Sequence, residues 1–312
     1  MASHRFVPQV YHTTLGPHAP VLRVAPGDTV VTTTVDARGF DHTGAQVAER
    51  GNPMTGPFYV EGAEPGDLLG VRFDRLWPNR DRGWTRTTIA ANVLEPGFGS
   101  GLAATEELAQ WELDLEAGTA TLAAPPTRLA GVRWPLAPML GCFGVAPAGG
   151  QAISTATSGP HGGNMDYRGF VQGVSVFLPV FVPGALFFLG DGHAMQGHGE
   201  IVGTGVETSF DVTFTVTVRR EAEPARWPRA ITPDHVLTVG NARPLDQGVQ
   251  HATTEMLRWL ASTWGLDAAS AHALLGQLVE YELANMFDPA YTMVCKVPRR
   301  ALAQLGVRVD AA

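Results

Sequence analysis

The feature that most constrains the fold is a strict two-residue period about two thirds of the way along the chain. Between Asp211 and Arg219, apolar and polar side chains alternate without a break. The apolar set is Val212, Phe214, Val216 and Val218, and the polar set is Thr213, Thr215 and Thr217. Successive side chains of a strand point to opposite faces, so the segment predicts a strand with one buried face. Such half-buried strands are typical of antiparallel sheets.

Turn signals recur through the first two thirds of the chain and separate further strand-like segments. The dipeptide Pro-Gly stands at residues 26–27, 65–66, 96–97 and 183–184. The chain holds 36 glycines and 23 prolines, whereas only 17% of its residues are charged. Further strands are predicted in Val30–Val35, Asp67–Leu76 and Trp111–Leu115. We therefore expect a mainly β fold (a β-rich α+β protein) with antiparallel sheets arranged as a sandwich or jelly roll.

The last quarter changes to a helical period. Apolar residues recur every four positions from Ala252 to Trp264, which predicts one helix. Asp267 is placed to cap a second helix. Its expected apolar face comprises Ala271, Leu274, Leu275, Leu278, Val279 and the segment from Glu282 to Met286. Asp288-Pro289 would end this C-terminal helical hairpin, and Met293–Val297 predicts a final strand.

The domain organisation is predicted from composition alone. The alanine- and proline-rich stretch Ala123–Pro126 is the best candidate for a boundary. It divides the chain into an N-terminal β-rich part at residues 1–125 and a second part at residues 126–312. The second part would carry the active site and the C-terminal helices. A single compact unit is the alternative.

Charge and hydropathy exclude several classes of partner. The formal net charge is −8, which repels phosphate backbones, so nucleic acid is not expected as a partner. The longest apolar stretch, Val174–Leu189, is interrupted by prolines and a glycine, and membrane association is not expected. The N-terminus has no apolar segment of the signal-peptide kind. Two cysteines, Cys142 and Cys295, give no disulfide framework, so we expect a reduced, cytoplasmic protein.

Polar residues that could carry chemistry concentrate in two glycine-rich segments, residues 158–166 and 190–200. The apolar run Phe170–Leu189 lies between them and contains a turn signal at Pro183-Gly184. If this run is a hairpin centred near residue 183, Asp166 falls opposite Glu200. The sequence therefore predicts that the two polar segments lie at the same end of one hairpin.

The pair Asp191 and His193 is the clearest candidate for metal binding. Residues two apart on a strand project from one face, so a carboxylate and an imidazole converge there. Zinc accepts this mixture of oxygen and nitrogen ligands. The third ligand is His161 or Asp166. Glu200 would then be a free carboxylate that acts as general base on a metal-activated water, and Asn164 would orient a substrate carbonyl or amide.

Each of these residues also has a structural interpretation. Asp166 and Asp191 can cap turns next to glycine, and His193 can be a buried, hydrogen-bonded histidine. His198 stands between two glycines, which is typical of a loop residue. Cys142 is interpreted as a core thiol, because no histidine lies near it in sequence to activate it.

Several long motifs, in order, resemble the acetamidase/formamidase family of amide hydrolases. They span most of the chain, from about Pro26 to about Val297. They are Asn52–Asp67 (NPMTGPFYVEGAEPGD), Pro160–Asp166 (PHGGNMD), Leu178–Val180 (LPV), Pro183–Phe187 (PGALF), Gly190–Glu200 (GDGHAMQGHGE) and Asp288-Pro289. The resemblance implies a β-rich fold and hydrolysis of small carboxamides, such as formamide or acetamide, to ammonia and a carboxylate. It also implies a divalent metal, zinc or calcium, at the Asp191–His193 loop.

The leading hypothesis follows from the residues and the resemblance together. Asp191, His193 and Asp166 are the expected metal ligands, and Glu200, Asn164 and His161 are the expected catalytic residues. The expected partners are a small amide substrate and further copies of the chain in a homo-oligomer, in the first place a dimer.

One residue departs from the family pattern. An acidic residue is expected where His198 stands, and its absence motivates an alternative substrate, a γ-lactam or another cyclic or larger amide. An alternative of another class is a non-catalytic β-rich binding protein or structural oligomer.

Overall fold

Strands account for most of the regular structure in residues 1–98, 107–221 and 223–309, which the computed structural model describes. The strands are β1 (Ser3–Arg5), β2 (Thr14–Leu15), β3 (Leu22–Val24), β4 (Thr29–Thr33), β5 (Thr55–Val60), β6 (Leu68–Pro78), β7 (Arg82–Thr85), β8 (Ala109–Asp114), β9 (Thr119–Ala124), β10 (Arg133–Pro135), β11 (Met139–Val145), β12 (Ile153–Ser154), β13 (Ser158–Gly159), β14 (Gly162–Asn164), β15 (Ser175–Pro179), β16 (Phe187–His193), β17 (Glu207–Thr208), β18 (Phe210–Arg219), β19 (Arg229–Ile231), β20 (His235–Ala242), β21 (Glu280–Asn285) and β22 (Tyr291–Pro298). The helices are α1 (Leu245–Trp264), α2 (Ala268–Leu278) and α3 (Arg299–Gln304).

The first sheet has the strand order β1-β4-β18-β6-β15-β19-β20-β22-β21 and is antiparallel except where β1 pairs with β4. Its strand β18 is the alternating segment found in the sequence. Val212, Phe214 and Val216 are fully buried, whereas the threonines between them are half-buried. The two-residue period thus predicted both the strand and its buried face correctly.

The second sheet has the order β10-β9-β8-β7-β17-β16-β11-β14-β13, with β5 paired to β16 and β3 paired to β5. It packs face to face on the first sheet. Phe143 of β11 contacts Phe73 of β6 at 5.2 Å between ring centroids, and Phe187 of β16 contacts Phe214 of β18 at 5.4 Å. Aromatic pairs at these distances are characteristic of a close-packed core. The antiparallel sandwich expected from the sequence is confirmed.

The helical hairpin covers the outer face of the first sheet. Ala252, Met256 and Leu260 of α1 are fully buried in a second apolar cluster. A side chain at Gly240 of β20 would overlap the backbone of α1 at Gly248, so this helix lies directly on the strand. Helix α1 ends at a left-handed glycine, Gly265. Asp267 caps α2 as expected, because its side chain accepts a hydrogen bond from the backbone amide of Ser270.

The hairpin predicted around residue 183 is wrong. Strand β15 pairs with β6 and β19 in the first sheet, whereas β16 pairs with β11, β17 and β5 in the second. The chain crosses between the sheets through Ala185 and Leu186, which both have positive φ angles. Both strands are buried along their whole length, so the apolar run carries no alternation from which pairing could be inferred.

The predicted extent of the second helix is also wrong. Helix α2 ends at Leu278, and the segment from Glu282 to Met286 does not continue it. Residues Glu280–Asn285 instead form β21, which pairs with β22 at the edge of the first sheet. The predicted apolar face is confirmed at Ala271, Leu274 and Leu275, which pack in the second apolar cluster, whereas Leu278 is exposed. Beyond Leu278, backbone pairing with β22 outweighs the local helical pattern.

Both sheets contain strands from either side of the proposed boundary at residues 125 and 126. In the first sheet β6 is hydrogen-bonded to β15 and β18, and in the second sheet β5 is hydrogen-bonded to β16. The division into two parts stays a prediction. Among the helices of the three described ranges, none is long and apolar enough to cross a membrane.

Candidate active site

Residues from both sheets converge on one buried polar centre. Asp191 and His193 lie on β16, Glu207 lies on β17, and Asp166 follows β14, all in the second sheet. The loop after β16 brings Glu200 to the first sheet, because Gly199 forms a parallel bridge with Asn285 of β21. The two polar segments therefore do meet, as the sequence predicted, although no hairpin joins them.

Three of the predicted residues form the centre of this site. One ligand atom from each of Asp166, Asp191 and His193 lies within 4.8 Å of the others, and all three residues are buried. They surround Gly141 of β11. A Cβ atom there would lie 2.6 Å from Asp191 Oδ2 and 3.0 Å from His193 Cε1, and closer still to Asp166 Oδ1. The glycine therefore keeps space open at the point where the three side chains meet.

Hydrogen bonds fix the orientation of the His193 ring. Gln196 donates from Nε2 to the backbone carbonyl of Asp166 at 2.6 Å, so its Oε1 faces His193 Nδ1 at 2.7 Å. Nδ1 therefore carries the proton, and Nε2 is the atom that a neutral ring offers to a cation. Nε2 lies 2.8 Å from Glu207 Oε1 and 3.5 Å from Asp191 Oδ1, but it has no hydrogen-bond partner of acceptable geometry among the described residues.

A second group of carboxylates adjoins the first through Asp166. Asp166, Glu200 and Asp288 offer oxygens within 4.8 Å of one another. Asn285 links them, since its Nδ2 lies 2.7 Å from Asp166 Oδ2, 2.8 Å from Glu200 Oε2 and 2.9 Å from Asp288 Oδ2. His193, Glu200 and Glu207 form a third overlapping group. The three groups together contain one imidazole and five carboxylates.

The carboxylates raise each other's pKa values. Burial is the main cause for Asp166 and Glu200, whose pKa values lie well above the ordinary range, and neighbouring carboxylates add to it. Burial likewise raises the pKa of Glu207 to about 8 and that of Asp288 to about 6. For His193, the charges of Glu207 and Asp191 outweigh burial and raise the pKa well above its ordinary value. A centre with this excess of negative charge suits a bound cation.

Three of these acidic residues have left-handed backbone conformations. The φ angles are 46° at Asp166, 59° at Asp191 and 46° at Glu200. Residues other than glycine seldom adopt positive φ, and such strain concentrates at functional sites. The strained positions coincide with the residues that the sequence indicated as ligands and base.

The remaining predicted residues lie at the edge of the centre or outside it. Asn164 accepts a hydrogen bond at Oδ1 and donates from Nδ2 to Asp288 Oδ2 at 2.6 Å, so it contacts the second carboxylate group. His161 is buried, and burial lowers its pKa to about 4, but its ring belongs to none of the three groups among the described residues. Cys142 is a fully buried thiol whose pKa burial raises, in agreement with its interpretation as a core residue.

Sequence reasoning missed four polar residues of the site: Gln196, Glu207, Asn285 and Asp288. Gln196 lay within a recognised motif but was given no role. Asp288 was interpreted as the end of a helix and as part of the resemblance, but it was given no role in the site. Glu207 offered one usable signal, a glutamate three residues before the alternating strand β18. Asn285 offered no signal, because its importance depends on the pairing of β21.

His198, the departure from the family pattern, lies on the exposed side of this loop. Its charge acts on Glu282 of β21. Burial raises the pKa of Glu282, but Lys296, Tyr167 and His198 together lower it below its ordinary value. An acidic residue in place of His198 would act in the opposite direction and raise the pKa of Glu282.

The fold and site together define a class: a two-sheet β protein with a buried centre of carboxylates and one histidine that could hold a metal ion. Comparison with known sequences is more specific. The model of the acetamidase/formamidase family matches residues 9–151 and 148–300, and the chain belongs to this family. The expectation of an amidase, an enzyme acting on carbon–nitrogen bonds other than peptide bonds, is confirmed at the level of the family.

Individual relatives agree with this assignment. An acetamidase of Mycolicibacterium smegmatis is 26% identical over 299 residues, which cover 72% of each chain. A solved structure from Thermoanaerobacter tengcongensis, described as a predicted acetamidase/formamidase, is 27% identical with a TM-score of 0.82, and 98% of this chain and 99% of that chain are covered. An acetamidase structure from Bacillus halodurans is 30% identical with a TM-score of 0.81, and the coverage is 97% and 100%.

Proposed function

We propose that this protein hydrolyses small carboxamides of the formamide and acetamide type to ammonia and a carboxylate, with a divalent metal ion, zinc, in the buried centre. One observation carries the proposal. His193 Nε2 and Asp166 Oδ1 are buried atoms without hydrogen-bond partners among the described residues, and both lie in the group that Asp191 completes. Buried polar atoms are nearly always satisfied, so two unpaired ones in one group of ligand side chains support cation binding there.

The donor set fits such an ion. Asp166, Asp191 and His193 would hold it through two carboxylates and one imidazole, a combination that zinc accepts. The all-oxygen group of Asp166, Glu200 and Asp288 is the kind that calcium prefers, so calcium is the alternative. When bound, a divalent cation supplies Lewis-acid chemistry at the amide carbonyl oxygen and lowers the pKa of water.

Glu200 is the proposed general base. It takes a proton from the attacking water, whose oxygen forms the new bond to the carbonyl carbon. The same proton then passes to the amide nitrogen as the carbon–nitrogen bond breaks and ammonia leaves. Asn285 donates to Glu200 Oε2 at 2.8 Å, which holds the carboxyl group in place.

Asn164 and His161 were expected to be catalytic, and their roles stay predictions. The contacts of Asn164 favour a supporting role, because its amide oxygen accepts from Asn52 and its amide nitrogen donates to Asp288. A cytoplasmic location and a homodimer likewise stay predictions.

Ammonia release tests the proposal. Metal-replete and chelator-treated protein would be compared on formamide, acetamide and a γ-lactam, with elemental analysis of the replete sample. We expect ammonia from the open-chain amides, its loss with the chelator and its return with Zn²⁺. Turnover of the lactam alone would move the substrate to cyclic amides. Absence of both metal and turnover would contradict the proposal and favour a non-catalytic role.

A further inference from the structure

Asn52 is the first residue of the longest motif shared with the family, yet it is neither a proposed metal ligand nor the proposed base. It is 9% exposed and has a φ angle of 61°, a conformation that asparagine tolerates better than most residues. Its backbone amide donates to Ala37 at 3.1 Å. Its side chain points to Asn164, so the residue is connected to the active centre through one other amide.

The backbone determines which amide donates in the hydrogen bond between Asn52 and Asn164. Asn52 lies 3.2 Å from the carbonyl oxygen of Thr155, which can only accept, so the amide nitrogen of Asn52 must face it. The same nitrogen donates to Asn164 Oδ1 at 2.7 Å. Asn164 is therefore held with its own nitrogen towards Asp288 Oδ2, at 2.6 Å. A backbone carbonyl thus determines, through two side chains, that Asp288 receives a donor.

Asn285 approaches the same oxygen from the first sheet with its polarity fixed in the same way. Its Oδ1 accepts from the backbone amides of Phe287 and Asp288 at 2.8 and 3.0 Å. Its nitrogen must therefore face the carboxylates, and it lies 2.9 Å from Asp288 Oδ2. Two donors of fixed direction meet at one oxygen and hold Oδ2 of the Asp288 carboxylate in place.

We propose that Asn52 is a positioning residue that acts through Asn164 to orient Asp288 in the active centre. This inference rests on the proposed function for its catalytic consequence, although the contacts themselves do not depend on it. A space-filling role for Asn52 would depend on its shape alone. A positioning role depends on the direction in which its amide donates, and the two can be separated by substitution.

Two substitutions test this distinction. Asn52→Asp keeps the shape but removes the donor, so Asn164 turns its nitrogen towards residue 52 and its oxygen towards Asp288. Asn52→Gly removes the side chain without strain at positive φ and leaves Asn164 free to keep donating. Asn79→Asp is a matched control, since Asn79 donates to Asp211 at 3.0 Å in the first sheet and has no part in the centre.

We expect N52D to lower kcat for acetamide about 10- to 100-fold with KM unchanged, as for supporting residues of metal centres. N52G should lower kcat by a smaller factor than N52D does, because Asn164 can still donate to Asp288. N79D should leave kcat unchanged. If N52D does not fold, N52G decides, and a wild-type kcat in that variant overturns the inference. Equal kcat values in N52D and N52G would also overturn it.

A double-mutant cycle that combines Asn52→Asp with Asn164→Ala shows whether residue 52 acts on Asp288 through Asn164. In the N164A background, N52D should lower neither kcat nor Zn²⁺ affinity any further, whereas direct repulsion between residue 52 and Asp288 would persist. The free energy of unfolding of the same metal-free variants can be measured without any enzyme activity. N52D should lower this free energy less in the N164A background than in the wild-type background. If the effects of N52D and N164A on the free energy of unfolding are additive, the inference is overturned. If they are not additive but the wild-type protein hydrolyses no amide, only the proposed function is overturned.

Discussion

At the scale of single residues, sequence reasoning succeeded where neighbouring positions carry the chemistry. Asp191 and His193 stand two residues apart, so strand geometry alone predicts that they converge. Asp166 and Glu200 were assigned from their side-chain chemistry and from a hairpin that does not exist, yet both reach the centre. Asn285 and Asp288 could not be assigned, because only the pairing of a distant strand places them beside Asp166.

Glu200→Gln tests the proposed base. Glutamine can still accept the hydrogen bond from Asn285, but it cannot take a proton from water. We expect kcat for acetamide to fall by about two to four orders of magnitude while the fold is kept. The measurement is steady-state ammonia release together with a circular dichroism spectrum. Glu116→Gln, at an exposed position, should behave as wild type, and an active E200Q would remove Glu200 from the mechanism.

Gly141→Ala tests whether open space at the centre is needed for metal binding. The added Cβ would lie 2.6 Å from Asp191 Oδ2 and nearer to Asp166 Oδ1, so the two carboxylates must separate. We expect Zn²⁺ affinity, measured by competition with a chelating dye, to fall at least about tenfold. Gly197→Ala is the control in the neighbouring loop, because a Cβ there meets nothing within 4 Å. Equal affinities in the two variants would contradict this interpretation.

At the scale of elements, periodicity was reliable wherever one face of an element is buried and the other is not. Strand β18 and helix α1 are of this kind, and both were predicted. Strands β15 and β16 are buried on both faces, so their residues carry no pattern that reveals which sheet each joins. Strand β21 was mistaken for helix, because an edge strand is defined by its partner β22 more than by its own sequence.

Lys296, the single lysine of the chain, holds β21 to β22. Its Nζ lies 2.7 Å from Glu282 Oε1 and 3.3 Å from Glu280 Oε2. Lys296→Met leaves two adjacent glutamates without their cation, and we expect it to lower the free energy of unfolding by about 1–2 kcal/mol, since the glutamates are partly exposed. Urea denaturation measures this. Arg72→Met, which breaks the exposed pair with Asp74, should cost less, and an equal cost would contradict a special role for Lys296.

At the scale of the whole molecule, one buried centre joins the two sheets and concentrates negative charge between them. Its polar residues come from β16, β17 and the segment after β14 in one sheet and from the end of β21 in the other. The sandwich itself could be predicted from turn spacing and alternation. The convergence of these strands on one point could not, since it depends on how two sheets pack and no local pattern specifies that packing.

The centre should make the metal-free protein less stable as pH rises from 6.5 to 8. With a pKa of about 8, Glu207 keeps in the folded state a proton that the unfolded chain has released, so raising the pH favours unfolding. The raised pKa of His193 acts in the same direction. Histidines with lowered pKa values, such as His161 at about 4, act oppositely, because the unfolded chain still binds part of their protons at pH 6.5. This opposing effect fades as the pH rises towards 8, where the unfolded histidines have also lost their protons.

Thermal unfolding of chelator-treated and zinc-loaded protein across this pH range is the measurement. We expect Tm of the chelated protein to fall with pH, and the zinc-loaded protein to lose less, because deprotonated ligands bind metal more tightly. A chelated protein whose Tm rises over this range would contradict the charge arrangement described for the centre.

The position of β21 also has a consequence for the order of events during synthesis. A ribosome delivers Asp166, Asp191 and His193 well before Asn285 and Asp288, and β21 is fixed only when β22 has followed it. A nascent chain would therefore carry the proposed ligands without the residues that organise them. Capture of metal would then be among the last steps of biogenesis, and a polypeptide terminated before residue 280 would compete poorly for the cell's metal supply.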